Sequence, residues 1–244
     1  MASRNLSHGV VRPILYAFIG AGVAIACQQI LKPKSNEEIA AEGLAATVAV
    51  KVANDDVGSG WFMDDRGDVM TANHIVDSAS KQITVTLADG TTHKATVIHE
   101  NKDENVDATI LHVDKAEGHS FLKWGNSGKI RPGQTVFAIG SPFAEGLSVT
   151  KGIISAWPHL IKGQTGIGVQ HDAATNPGNS GGPVVNDRCE VIGLNDMIVS
   201  DGRSAQNSGV SYAIPSNVLL HDIPAALRPQ PYQPAEIAAS QMVY

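Results

Sequence analysis

Short segments in which apolar and polar residues alternate follow one another from residue 47 to residue 215. A period of two is typical of half-buried β-strands, whereas an amphipathic helix needs a period near 3.6. The chain has 24 glycines and 12 prolines among its 244 residues, which favours many turns over a helical bundle. The segments fall into two sets on either side of residues 125–133. We therefore expect an all-β chain of two tandem antiparallel barrels or sandwiches.

The N-terminal segment differs from the rest in composition. Two arginines precede an apolar run from residue 14 to residue 27, and Ala24-Ile25-Ala26 offers an A-x-A cleavage pattern. Residues 1–31 are interpreted as a signal peptide or as a single membrane anchor. Lipid attachment at Cys27 is a third alternative, which is weakened by Ala24 because that position of a lipobox usually holds leucine. All three interpretations place the globular part outside the cytoplasm.

Changes in pattern suggest where the segments of the chain begin and end. Ser35 and Glu38 have the spacing of a capping box at the start of a short helix. Residues Ala88-Asp89-Gly90-Thr91 have the pattern of a hairpin turn. A closing helix is expected over residues 216–223, with Ser216 as its N-cap. The expected divisions are a linker and short helix at 32–46, a first β-barrel at 47–128, a second at 129–224, and a loose tail at 225–244.

Charge and cysteine content argue against several classes of protein. The net charge is −6 and no block of lysine and arginine stands out, so we expect no nucleic-acid partner. Cys27 and Cys189 form no C-x-x-C pair, so neither a structural zinc site nor a disulfide within the folded unit is expected. No metal or organic cofactor is expected.

The loop Asn176-Pro177-Gly178-Asn179-Ser180-Gly181-Gly182-Pro183 is the strongest chemical signal in the chain. A serine nucleophile needs an exposed hydroxyl and nearby backbone N–H groups that converge on one point to bind an oxyanion. Glycines beside the serine permit the backbone angles that such a loop requires. The alternative is an ordinary turn between two strands. We interpret Ser180 as a candidate nucleophile.

A serine needs a general base, and the base needs an orienting carboxylate. His74 lies at the end of an expected strand, in T-A-N-H-I-V-D, and Asp107 opens the strand D-A-T-I-L-H-V. His171 is nearer the serine but lies within an expected strand, while Asp103 and Glu104 lie in a polar loop. The chain order of histidine, aspartate and serine is that of the chymotrypsin-type arrangement. We therefore expect the active site to lie in the crevice between the two β units.

Seven segments resemble the protease domain of the HtrA (high-temperature requirement) family of trypsin-like serine proteases. They occur in the family's order and span about residues 47 to 224. The resemblance implies two six-stranded antiparallel β-barrels of the chymotrypsin type, with short peripheral helices and an N-terminal hydrophobic leader. The matching segments are G-S-G-W-F-M at 58–63, T-A-N-H-I-V at 71–76, D-A-T-I-L at 107–111, A-I-G-S-P-F at 138–143, V-T-K-G-I-I-S-A at 149–156, D-A-A-T-N-P-G-N-S-G-G-P at 172–183 and Y-A-I-P-S at 212–216.

The resemblance implies a role for each matched residue. His74 would be the general base, Asp107 would orient it and Ser180 would attack the peptide carbonyl. The N–H groups of Gly178 and Ser180 would form the oxyanion hole, which Asn179 helps to shape. The substrate-binding residues would be Ala174 at the floor of the S1 pocket, the strand from Asn195 to Val199 that pairs with the substrate, and Met197, Ile198 and Val199 along the pocket wall.

These roles predict a serine endopeptidase that acts on unfolded or exported proteins in the periplasm or another extracytoplasmic compartment. Ala174 carries no charge, so small or medium aliphatic P1 residues are expected. Asp196 and Met197 replace a smaller and less charged pair of the family. Only about twenty residues follow Ile223, too few for the PDZ domain that HtrA proteins commonly carry, so activation through such a domain is not expected.

Two other functions stay open at this stage. The same cleft could belong to a self-processing protease or to a non-catalytic chaperone that holds peptides. The family also commonly forms trimers through N-terminal segments, and residues 37–46 are the candidate for that contact. The expected partners are thus protein or peptide substrates, with a homotrimer and membrane attachment through the leader as further expectations.

Overall fold

The computed structural model describes residues 33–52, 57–76, 82–101, 106–116, 118–160, 167–198 and 209–229. The predicted leader at 1–31 and most of the predicted tail lie outside these ranges, and so do Asp103, Glu104 and Val199. The described residues from Ser35 onward belong to one compact unit, and the description below concerns that unit. Within the described residues, no helix is both long enough and apolar enough to span a membrane.

Alternating burial shapes the first barrel, as the sequence pattern predicts. Strand β1 (Thr47–Val52) buries Val48, Val50 and Val52, while Lys51 between them is exposed. The strand order is β1-β2-β3-β6-β5-β4, and β4 pairs with β1 to close the ring. The other five strands are β2 (Val57–Phe62), β3 (Asp68–Thr71), β4 (Ile83–Thr86), β5 (Thr92–Glu100) and β6 (Thr109–Val113).

The second barrel has the strand order β8-β9-β10-β13-β12-β11, and it closes because β11 pairs with both β12 and β8. The short strand β7 (Lys123–Trp124) pairs in parallel with β12, although it lies within residues 47–128, the expected extent of the first barrel. The two closed six-stranded rings confirm the predicted fold class. Their strands are β8 (Thr135–Gly140), β9 (Ser148–Leu160), β10 (Ile167–His171), β11 (Pro183–Val185), β12 (Glu190–Ile198) and β13 (Ser211–Pro215).

Two α-helices flank the barrels in the described part of the chain. Helix α1 (Asn36–Ala46) begins with the predicted capping box, in which Ser35 and Glu38 exchange hydrogen bonds. Helix α2 (Ser216–Asp222) begins at the predicted residue and ends one residue before the predicted end. Its N-cap is Pro215, so the prediction that Ser216 is the N-cap is wrong. The Ser216 hydroxyl instead donates to the Gly125 carbonyl (2.9 Å).

The start of the predicted loose tail is held against the first barrel. The Arg66 guanidinium donates to the carbonyl oxygens of Ala226 (3.0 Å) and Leu227 (2.8 Å). Arg228 returns to the end of α2 and donates from Nε to the Ile223 carbonyl (2.8 Å). These contacts fix residues 226–228, which the sequence pattern does not reveal because their partners are distant in the chain.

Candidate active site

His74 lies on a 3-10 turn, Asn73–Ile75, directly after β3. Ile75 is buried, and the side chain of Asn73 accepts a hydrogen bond from the Thr109 hydroxyl on β6. These two contacts anchor the turn to the first barrel on either side of the histidine. The His74 side chain itself is 47% exposed, so its ring faces solvent and not the core.

Asp107 precedes β6, between the buried residues Val106 and Ala108. One carboxylate oxygen accepts the backbone N–H of His74 (2.8 Å), and the other is hydrogen-bonded to the ring nitrogen Nδ1. Both carboxylate oxygens of Asp107 therefore bind His74. Because Nδ1 donates to the carboxylate, the lone pair of a neutral ring lies on Nε2, the atom that a general base needs.

The same contacts set the protonation of the pair. The hydrogen bond to Asp107 raises the pKa of His74, and this outweighs the opposing effect of burial. Burial acts to raise the pKa of Asp107, but the hydrogen bonds from His74 prevail and hold that pKa below its usual value. An ionised Asp107 beside His74 stabilises the imidazolium that forms when the ring takes a proton.

The competing histidine His171 lies in a different environment. It is fully buried in β10, and burial lowers its pKa to about 4. A ring that is closed off from the cleft cannot reach a substrate, which leaves His74 as the better candidate for the base.

The candidate nucleophile comes from the second barrel, and Ser59 on β2 joins its loop to the first. The N–H of Ser59 donates to the Ser180 carbonyl (2.8 Å), and its hydroxyl donates to the Gly178 carbonyl (2.6 Å). The same hydroxyl accepts the N–H of Ser141 (2.8 Å), the residue after β8. One buried side chain thus fixes the loop around Ser180 relative to both barrels.

The surroundings of Gly181 explain why a glycine directly follows Ser180. Its φ is +84°, and a Cβ there would lie 2.2 Å from the Ser59 carbonyl oxygen and 2.6 Å from Oγ1 of Thr71. A side chain would therefore push the loop away from β2. The glycine serves the close approach of the two barrels as well as the backbone angle.

The hydrogen bonds of the same loop leave two of its backbone N–H groups without an acceptor in the described part of the chain. The Phe143 N–H donates to the Pro177 carbonyl (2.8 Å), which fixes the peptide between Pro177 and Gly178. In a trans peptide the C=O and the next N–H point in opposite directions, so the Gly178 N–H points away from Phe143. Within the described residues, the N–H groups of Gly178 and Ser180 donate no hydrogen bond. Two unused donors suit an oxyanion.

Asn179, the residue between these two donors, is buried. Its N–H donates to the Asn176 carbonyl (3.0 Å) and its own carbonyl accepts from Gly182 (3.0 Å), so its backbone braces the turn. A Cβ on Gly140 would lie 2.6 Å from its side-chain oxygen, which shows how tightly that amide packs against β8.

The Ser180 hydroxyl donates to the backbone carbonyl of Asp196 on β12 (3.3 Å). The structure brings His74 and Asp107 into direct contact, but among the described contacts none joins the Ser180 hydroxyl to His74. Asp196 is close to both. Its carbonyl accepts the Ser180 hydroxyl, and its carboxyl group lies within 4.8 Å of the side-chain atoms of His74 and Asp107.

Three acidic or imidazole side chains at this spacing are also the kind of group that can hold a cation. Here Nδ1 of His74 and one oxygen of Asp107 already bind each other, so a cation would have to use Nε2 of His74 or the remaining carboxylate lone pairs.

The predicted substrate-binding residues lie in two places. Ala174 is exposed in the loop before Ser180, and its carbonyl accepts from the Thr150 hydroxyl (2.7 Å). Asn195 is buried, and its N–H and C=O are bonded to Gly182 (2.8 Å) and Gly181 (2.7 Å). Beyond it, Met197 and Ile198 pair with β13. On the side of the serine loop, β12 has no strand partner beyond Asn195 among the described residues.

Sequence reasoning gave no role to two residues of this site. Ser59 stands between glycines in G-S-G, and that spacing is a signal of close backbone approach. Asp196 stands out in the sequence only as an unusual acidic residue on the strand expected to bind substrate. The signal is the charge itself, because an acidic residue that is partly buried on a strand needs a partner.

Comparisons with known proteins show the family to which this chain belongs. A family model described as a trypsin-like peptidase domain matches residues 58–194. A probable periplasmic serine protease do/HhoA-like from Haemophilus influenzae is 41% identical over 165 residues, which are 66% of this chain and 34% of that protein. A probable periplasmic serine endoprotease DegP-like from Pseudomonas savastanoi pv. phaseolicola is 40% identical over 165 residues, 67% of this chain and 33% of that protein. The chain spans about a third of the length of these relatives.

Solved structures lead to the same family. The HtrA-type protease AlgW with a tripeptide superposes with a TM-score of 0.70 at 32% identity, covering 77% of this chain and 62% of that one. The same protease with a decapeptide gives a TM-score of 0.68 at 28% identity, covering 77% of this chain and 66% of that one. These likenesses confirm the resemblance that the sequence motifs predict. The chain belongs to the family of trypsin-like peptidase domains, and it is similar to the HtrA-type proteases.

Proposed function

We propose that this chain is a serine endopeptidase that cleaves unfolded or exported proteins through an acyl-enzyme. The observation that carries the proposal is the hydrogen-bonded pair of His74 and Asp107, which Asp196 links to a serine whose loop offers two unused backbone donors. A base, its orienting carboxylate, a nucleophile and an oxyanion site are the parts that acyl transfer needs.

The first step is the binding of the substrate along β12. Asp196 is left out of the β12–β13 pairing, and its carbonyl accepts only the Ser180 hydroxyl among the described contacts. An extended peptide added at this edge would offer a backbone N–H to that carbonyl. The Ser180 hydroxyl would then be released to donate to Nε2 of His74.

The chemical step follows from the positions of the donors. His74 takes the hydroxyl proton while Oγ of Ser180 attacks the peptide carbonyl, and Asp107 stabilises the resulting imidazolium. The N–H groups of Gly178 and Ser180 bind the oxyanion. When the C–N bond breaks, His74 gives the proton to the leaving amine, and water later hydrolyses the ester by the same route.

The specificity proposed for this site is for small or medium aliphatic P1 residues, because Ala174 brings no charge. Thr175 beside it is buried and shares a hydrogen bond with the Ser211 hydroxyl (2.6 Å), so this polar pair satisfies itself. A digest of a proteome-derived peptide library measures the P1 preference directly. A dominant preference for lysine or arginine would refute the role given to Ala174.

Casein cleavage and labelling by a fluorophosphonate probe test the activity itself. Wild type should cleave and be labelled, and Ser180→Ala should do neither. Ser127→Ala, which alters a buried serine near α2 outside the site, is the matched control and should keep the label. Equal cleavage by wild type and Ser180→Ala would refute the proposal. Peptide binding without labelling would favour the chaperone function, and cleavage of the chain itself alone would favour a self-processing protease.

We further propose that the protein acts in the periplasm, as the names of its relatives state for those proteins. Fractionation with a periplasmic marker tests this location, and release by detergent alone would indicate the membrane attachment expected of the leader. A homotrimer is the assembly proposed for it. Since Ile39, Gly43 and Ala46 of α1 are buried within this chain, the exposed polar side of α1 would have to make the contact. Light scattering measures the stoichiometry.

A further inference from the structure

Asp196 occupies an irregular position of β12. The neighbouring residues pair regularly with β13, Asn195 with Ala213 and Met197 with Tyr212, and the register shifts between them. Asp196 is therefore the extra residue of a β-bulge. Bulges commonly redirect a side chain at the rim of a barrel. The hydrogen bonds of Asn195 to the serine loop fix the strand immediately before the bulge.

The redirected carboxyl group meets two ionisable groups from the first barrel. In the described residues, the ionisable groups that face it are Asp107 and His74, whose side-chain atoms lie within 4.8 Å of its carboxyl oxygen. Two carboxylates this close cannot both ionise without strong repulsion, so one of them keeps a proton. Asp107 already accepts two hydrogen bonds from His74, which favours its charged form. The proton therefore belongs on Asp196.

We propose that Asp196 is a positioning residue for the peptidase reaction, which carries a proton and donates it to Asp107. This inference rests on the proposed function of the site. The donated hydrogen bond is the third that Asp107 accepts, after the backbone and ring N–H groups of His74. It comes from the opposite barrel, so it ties the orientation of the Asp107 and His74 pair to the barrel that carries Ser180.

This arrangement should make the peptidase lose activity as the pH rises. Burial, followed by the charge of Asp107, raises the pKa of Asp196 to about 7. Below that pH the neutral carboxyl group donates to Asp107. Above it the group ionises, the third hydrogen bond is lost, and a second negative charge faces Asp107. That charge also raises the pKa of His74. Because the hydrogen bond that orients the Asp107 and His74 pair is lost as the pH rises, activity should fall on the alkaline side.

The test is the pH profile of kcat and KM for a chromogenic peptide from pH 5 to 9. Asp196→Asn keeps an N–H donor but cannot ionise, so it should match wild type at pH 6 and lack the alkaline fall. Asp196→Ala has no donor and should lose about tenfold or more in kcat at pH 6, with KM nearly unchanged. Asp114→Asn alters an exposed aspartate of the first barrel and should leave the profile as in wild type.

A second measurement separates this inference from the proposed function. In Ser180→Ala protein with ¹³C-labelled aspartate, one carboxyl resonance should titrate near neutrality, and Asp196→Asn should remove it. If wild type is inactive but shows that resonance, the proposed peptidase activity is refuted and the proposed proton on Asp196 is supported. An active wild type in which every aspartate titrates in the ordinary acidic range, or in which Asp196→Asn keeps the alkaline fall, would overturn the inference.

Discussion

Replacing Ser59 by alanine removes one hydroxyl on which the geometry of the nucleophile loop depends. That hydroxyl donates to the Gly178 carbonyl (2.6 Å) and accepts the N–H of Ser141 (2.8 Å), and Ser59 is fully buried. Ser59→Ala leaves one carbonyl and one N–H without these partners. The first belongs to the peptide next to the proposed oxyanion donors, so both stability and activity should respond.

The size of each effect can be estimated from the contacts. A buried polar group that loses its partner costs about 1–3 kcal/mol, so the two groups together should lower the free energy of unfolding by roughly 2–6 kcal/mol. For a domain of this size that corresponds to a Tm lower by at least about 4 °C. Loss of one oxyanion donor costs about 10²–10³ in kcat, and a donor that is only loosened should cost about tenfold.

Ser216 provides a matched control. Its hydroxyl donates to a glycine carbonyl, that of Gly125 (2.9 Å), and accepts a serine N–H, that of Ser127 (3.2 Å), and it too is fully buried. Ser216→Ala should therefore lose similar stability and keep kcat. Urea unfolding and peptide hydrolysis, both measured well below the Tm of each variant, give the two quantities. The reasoning fails if Ser59→Ala keeps wild-type kcat, or if both variants lose activity alike.

Three further outcomes are expected. Asp107→Asn should lower kcat by about 10⁴ and leave the circular dichroism spectrum unchanged, because an amide favours the wrong tautomer of His74; steady-state hydrolysis decides, and a fall below tenfold would contradict the role of Asp107. Treatment with EDTA should leave kcat unchanged, since the proposed acyl transfer needs no metal; activity that is lost and then restored by a cation would argue for a metal at His74, Asp107 and Asp196. Gly181→Ala should destabilise far more than Gly90→Ala, as judged by Tm: both have φ near +85°, but a Cβ overlaps Ser59 and Thr71 in the first and meets no atom within 4 Å in the second. Equal decreases in Tm for the two variants would show that backbone strain alone accounts for the loss of stability.

Local features of this protein were predictable because their causes are local. The alternation of β1, the capping box of Ser35 and Glu38, and the turn at Ala88 to Thr91 each depend on residues within a few positions. The glycines beside Ser180 likewise mark a strained loop. Position at a strand end singled out His74 and Asp107, and the structure places them in contact. Their catalytic roles remain predictions.

Features that depend on distant pairing were not predictable in the same way. Alternation is compatible with a barrel or a sandwich, and the difference lies in the pairing of β4 with β1 and of β11 with β8. The N-cap of α2 was misassigned because Ser216 has a buried partner at Gly125, 91 residues away. No local rule reveals that a hydroxyl is already engaged elsewhere.

The sequence by itself determined the strand pattern, the chemical types needed for acyl transfer and the order in which they occur. Only the tertiary structure decided how the two barrels meet, because Ser59 reaches across 119 residues to Gly178 and a one-residue bulge turns Asp196 toward Asp107. A bulge arises from the register of two paired strands, and register is a property of the pair. For that reason the partner of Asp196, and the proton that it is proposed to share with Asp107, become visible only in the folded structure.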